Sequence, residues 1–204
     1  MKKYLLMALL LNSPFAQAQK KAFDSDNLSC FSIGAGYKSF IGNNFLAKTY
    51  NNRVSFVYDF NFRLYKKWGA GTFYRTTQAK PFTNQYVGNS VYARITELGF
   101  YATYYQKING RWLFSPKVGF STFLLKNQIK SPYQMTYYNY FTRGTNFFIA
   151  PEINYFITKG LRVFANTEYG FINMPRVTAN KAATGTSYNA ANQVNFCFGF
   201  KVGF

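Results

Sequence analysis

A two-residue alternation runs through this chain and is clearest over its last ten residues, NFCFGFKVGF. Phe196, Phe198, Phe200, Val202 and Phe204 fall on one parity, and Asn195, Cys197, Gly199, Lys201 and Gly203 on the other. Successive side chains of an extended strand point to opposite faces, so this segment has one large apolar wall and one small or polar wall. A chain built this way must put its aromatic wall against something other than water.

The same alternation recurs seven more times, over residues 30–37, 53–64, 69–77, 97–104, 112–124, 147–155 and 161–170. In 53–64, for example, Val54, Phe56, Tyr58, Phe60, Phe62 and Leu64 oppose Arg53, Ser55, Val57, Asp59, Asn61 and Arg63. The phase of 69–77 is ambiguous, with Arg75 expected inward. Long connections (41–52, 78–90, 126–144 and 172–191) alternate with short ones (65–67, 106–110 and 157–160). Both termini and the short turns therefore lie at one end and the long loops at the other. Asn109-Gly110 marks a tight hairpin, since both residue types tolerate positive φ.

Eight alternating strands fit two all-β architectures. A soluble lipocalin-like barrel turns its apolar face inward; an eight-stranded antiparallel up-and-down transmembrane β-barrel turns it outward to lipid. The charges and the glycines decide. After Asp24 and Asp26 the chain has four acids, Asp59, Glu97, Glu152 and Glu168, and all four share the less apolar parity with Arg63, Lys117, Arg162 and Lys201. Gly34, Gly36, Gly99, Gly119, Gly170 and Gly199 sit on that face too. An eight-stranded interior has room for little more than its own side chains, so small residues belong inside and the aromatics outside. Asp59, Arg63, Glu97, Lys117, Glu152, Arg162, Glu168 and Lys201 are thus expected to form a structural ion network in the lumen.

With its pattern of strands and its ending on Phe204, the mature chain resembles the small eight-stranded outer-membrane barrels of the OmpX and OmpA-barrel type. The resemblance implies that Phe200, Val202 and Phe204 form a C-terminal signal read by the barrel-assembly machinery. It also implies a monomer in the outer membrane of a Gram-negative bacterium, with long loops extracellular and termini periplasmic. The first residues agree: Lys2 and Lys3, an apolar run 4–11 and Ala16-Gln17-Ala18 form a signal peptide, residues 1–18, cleaved between Ala18 and Gln19. The barrel domain is then 19–204.

The chemistry available is narrow. The chain has no histidine and two cysteines, Cys30 and Cys197. A Ser-His or Asp-His mechanism has no base, and the cysteines and scattered acids offer no metal-ligand spacing. No catalytic residue, cofactor or metal is therefore expected, and the protein is read as no enzyme. The two cysteines adjoin across the closing strands, but their positions along those strands do not favour a disulfide. The 24 Lys and Arg against 6 Asp and Glu accompany no nucleic-acid motif. Lys48, Lys80, Lys126, Lys130, Arg143, Arg176 and Lys181 instead fall in loops or at the rim, where they read equally as neighbours of lipopolysaccharide phosphates or as a solvated rim. The Tyr-rich stretch within 126–144 reads equally as a contact surface or as strand extended past the membrane. The function expected is a structural or surface-binding outer-membrane protein. The alternatives are a narrow pore or transport of small or apolar molecules, the latter by a lateral path, and a role as accessory subunit of an envelope secretion or assembly complex.

Overall fold

The computed structural model describes residues 28–82, 90–130, 137–178 and 187–204. Ala18, Gln19 and Lys181 lie outside the described residues, and of Arg53 and Arg176 the backbone alone is described. Eight strands are built from the eight alternating segments. They are β1 (Cys30–Ile41), β2 (Tyr50–Tyr65), β3 (Trp68–Pro81) and β4 (Ser90–Tyr104, prolonged by Gln106–Lys107). Next come β5 (Trp112–Phe114 and Lys117–Lys130), β6 (Tyr137–Ala150 and Glu152–Phe156), β7 (Leu161–Thr178) and β8 (Ser187–Gly203). Each pairs antiparallel with its sequence neighbours, and β8 pairs with β1 from Cys30↔Gly203 to Ile41↔Asn192. The sheet closes on itself, which satisfies the backbone without leaving the edges an open sheet would expose in lipid.

The parity read from the sequence holds on every strand. Phe196, Phe198, Phe200, Val202 and Phe204 are exposed on the outer wall, as are Val54, Phe56, Tyr58, Phe60, Phe62 and Leu64. Asn195, Cys197, Lys201, Ser55, Asp59 and Asn61 are buried inside, and Arg75 points inward with 4% exposure. Inward glycines make room for inward rings. A Cβ on Gly99 would meet the Phe73 ring at 2.6 Å, and one on Gly34 the Phe164 ring at 2.8 Å.

The strands are longer than the apolar parity alone marks. At about 3.3 Å per residue and a tilt of about 40°, roughly 10 residues cross a 25 Å apolar band. β7 has 18 residues and β8 has 17, so both project past it at the loop end. The β5–β6 hairpin does the same, pairing Lys130 with Tyr137. The Tyr-rich stretch over Tyr137–Phe141 is therefore strand, with Tyr137, Tyr138, Tyr140 and Phe141 all exposed. At the opposite end the 106–110 hairpin forms as expected but by a different device. Neither Asn109 nor Gly110 has positive φ; instead the Asn109 Oδ1 accepts from the backbone N–H of Arg111 and of Trp112, both at 3.0 Å. In the β2–β3 turn it is Lys66 that takes positive φ, 48°.

Candidate functional site: the lumen charge networks and the loop-end rim

The lumen is filled in layers. At the loop end, the segment after β1 folds back into the mouth as a single turn of helix, α1 (Phe45–Thr49). Asn44 caps it, accepting from Ala47 N at 2.9 Å and donating to the Ile41 carbonyl at 2.6 Å. This places Phe45 and Leu46 among Phe40, Ile95, Phe123, Leu125 and Ile172, an apolar plug inside the barrel. The Tyr50 hydroxyl donates to Asn127 Oδ1 at 2.9 Å within it.

Beneath the plug lies a first charge network of two bases and two acids. Arg75 grips Glu168 with both Nη atoms, at 2.7 and 2.5 Å, and reaches Glu97 at 3.3 Å. Lys38 donates to Glu97. The amides of Asn146 and Gln193 complete the Glu97 shell at 3.3 and 3.4 Å. Buried charges of this kind persist where partners and hydrogen bonds replace water.

An aromatic layer follows, with Phe73 edge-on to Phe148 at 5.4 Å. The Arg75 guanidinium lies 4.9 Å from the Phe73 ring and the Lys201 ammonium 4.8 Å from that of Phe164. A second network lies nearer the turn end. Lys117 bridges Asp59 and Glu152, each at 2.8 Å, and Lys201 meets Glu152 at 2.5 Å. Ser115 donates to Glu152 at 2.8 Å, and Tyr101 donates to Asp59 at 2.5 Å. Leu28, Tyr105 and Leu113 seal the turn end. The cavity between the two networks, lined by Asp59, Arg75, Lys117 and Glu168 among others, has a volume of about 20 Å³, room for about one water.

Of the eight charged residues expected inside, the structure joins six, Asp59, Lys117, Glu152 and Lys201 in one network and Glu97 and Glu168 in the other. Arg162 is buried beside them, its guanidinium 5.1 Å from the Phe156 ring. Arg63 takes a different position, at the β2–β3 turn, where its Nε donates to the Lys66 carbonyl at 2.6 Å. Two members were not in the expected set. Arg75 is expected inward from its parity, and the structure supplies its partners, Glu168 and Glu97. Lys38, fully buried, lies one residue beyond the end of the first alternating segment, and extending the period by one step would have found it. Cys30 and Cys197 are free and buried; Cys197 registers with Gly36, not with Cys30. Among the described residues no group of three or more His, Cys, Asp or Glu could hold a metal ion.

No protein-family model matches the chain, and no curated protein sequence does. Solved structures do. The structure is similar to neisserial surface protein A, with a TM-score of 0.58 at 14% identity over 86% of this chain and 97% of that one. It is also similar to Ail, the attachment invasion locus protein of Yersinia pestis, with a TM-score of 0.52 at 12% identity over 86% and 97%. The likeness is one of fold: the eight-stranded antiparallel up-and-down barrel of small outer-membrane proteins.

Proposed function

We propose that this chain is an integral outer-membrane protein that works as a sealed barrel and acts through the surface at its loop end. The observation that carries this reading is the filling of the lumen. Among the described residues an apolar plug, two charge networks, an aromatic layer and an apolar seal fill the lumen, and the cavity between the two networks holds about 20 Å³, room for about one water and not for a solute. Among the described residues the β5–β6 hairpin offers a contact surface, with its tyrosines exposed at 55–56%. In this reading the long loops are extracellular and the termini periplasmic, the barrel is monomeric, and Phe200, Val202 and Phe204 are read by the assembly machinery. The signal segment and the apolar outer wall support that placement. The names of the two similar proteins, a surface protein and an attachment and invasion protein, agree with a contact role. Catalysis forms no part of it, since the buried carboxylates are held by cations and the chain has no histidine.

Because both natural cysteines are buried, a new one reports cleanly. Tyr140→Cys should react with a membrane-impermeant maleimide on intact cells, and Ile108→Cys, at the turn end, should not. Steady stepwise conductance of the purified protein in planar bilayers, or the reverse labelling, would contradict the proposal.

A further inference from the structure

We propose that the outer wall of β3–β6 at the loop end carries a binding site for a lipid bearing two phosphate groups. The site is a diagonal stripe of four bases, one per strand. Arg94 of β4 stands directly opposite Lys126 of β5. Arg143 of β6 is opposite Leu124, two residues from Lys126 on the same face. Lys80 of β3 lies two residues from Gln78, the partner of Arg94. Like charges placed opposite each other across a ladder destabilise it, so this pattern needs an anion to be favourable, and the described residues of the wall supply none. The four acids after Asp26 are all inside the lumen, at 5% exposure or less. Within the protein Arg94 has the Tyr92 hydroxyl at 2.9 Å and Lys126 the Phe141 ring at 5.9 Å, both neutral neighbours.

The residues below the stripe grade the way a lipid does. A row of threonines, Thr76 opposite Thr96 and Thr122 opposite Thr145, separates it from the apolar belt of Leu98, Phe100, Phe120, Phe147 and Ile149. Acyl chains against the belt would bring headgroup phosphates level with the bases. Three strand spacings of about 4.8 Å make the stripe about 14 Å wide, enough for two phosphates on one headgroup rather than one. Among the residues whose side chains are described, the outward positions at the loop end of β7, β8 and β1 are Phe171, Asn173, Asn192, Val194, Ser39 and Ile41, and these are uncharged.

This inference rests on the membrane reading above, and the test separates the two. The protein is placed in nanodiscs of a zwitterionic phospholipid and titrated with diphosphoryl lipid A or its dephosphorylated form. Bound lipid is counted by native mass spectrometry, and folding is checked by heat-dependent gel mobility. Near a bilayer each base contributes roughly fivefold in anion affinity. The unaltered protein should therefore prefer the diphosphoryl form by more than tenfold. R94Q/K126Q should lose about 25-fold, while K67Q/R111Q at the turn end should lose little. No preference in the unaltered protein, an unchanged R94Q/K126Q, or equal loss in K67Q/R111Q would overturn the site while leaving the barrel intact. A chain that will not insert overturns the membrane reading and the site with it.

Discussion

Glu97→Gln is the sharpest perturbation of the lumen. The upper network holds Lys38 and Arg75 against Glu97 and Glu168, so the substitution leaves one excess positive charge with 0% exposure at Lys38. Stranding a buried charge costs about 3–5 kcal/mol. The new amide oxygen can still accept from Lys38 and Arg75, returning about 1–2 kcal/mol of hydrogen bonding, so the net loss should be about 1–4 kcal/mol. Lys38→Met leaves one excess negative charge and should cost a similar amount. The double variant restores balance, because Arg75 and Glu168 still pair through two bonds. Its loss should fall short of the sum of the single losses by about 2 kcal/mol or more. Urea titration in lipid vesicles, followed by the fluorescence of Trp68 and Trp112, measures all three. Single losses that simply add, with coupling below about 0.5 kcal/mol, would refute the idea that the network is held by charge balance.

Other outcomes follow from the same layers. Leu46→Ala, at a position with 0% exposure in the plug, should cost about 2–5 kcal/mol without opening a conductance, because both charge networks still close the lumen below it. Gly99→Leu should fold poorly, since even its Cβ meets the Phe73 ring at 2.6 Å; normal yield and stability would show the lumen to be looser than described. Oxidant should form no Cys30–Cys197 disulfide, and non-reducing mass analysis should find both thiols, because six positions of β1 separate Cys30 from Gly36, the residue opposite Cys197.

Much of this architecture is legible in the sequence because a barrel in lipid has a period-two code with large rewards at each step. Parity alone placed all four acids inside, and crowding alone explained why glycines share their face. Three features escaped the code for separable reasons. The plug comes from a segment between strands, and the five residues of α1 are too few to display a helical period. The strand extensions of β5 and β6 stand beyond the band where apolar and polar faces must differ, so Tyr137 to Phe141 are exposed on both parities and carry no alternation. Lys38 stands one step past Tyr37, beyond the stretch of β1 where large apolar and small residues alternate. At the Asn109 hairpin a side-chain oxygen does the work expected of positive φ.

The central claim is that the aromatic wall faces lipid, and Phe198, 69% exposed, tests it most directly. In a W68F/W112F background, Phe198→Trp should be strongly quenched by nitroxide-labelled lipids with the label deep in the acyl chain, and hardly by aqueous iodide. Phe148→Trp, in the lumen where Phe148 is 2% exposed, should be shielded from both, with folding of each variant verified by gel mobility. A tryptophan at 198 that iodide quenches and lipid nitroxides do not would mean that the wall faces water, and the account would fail.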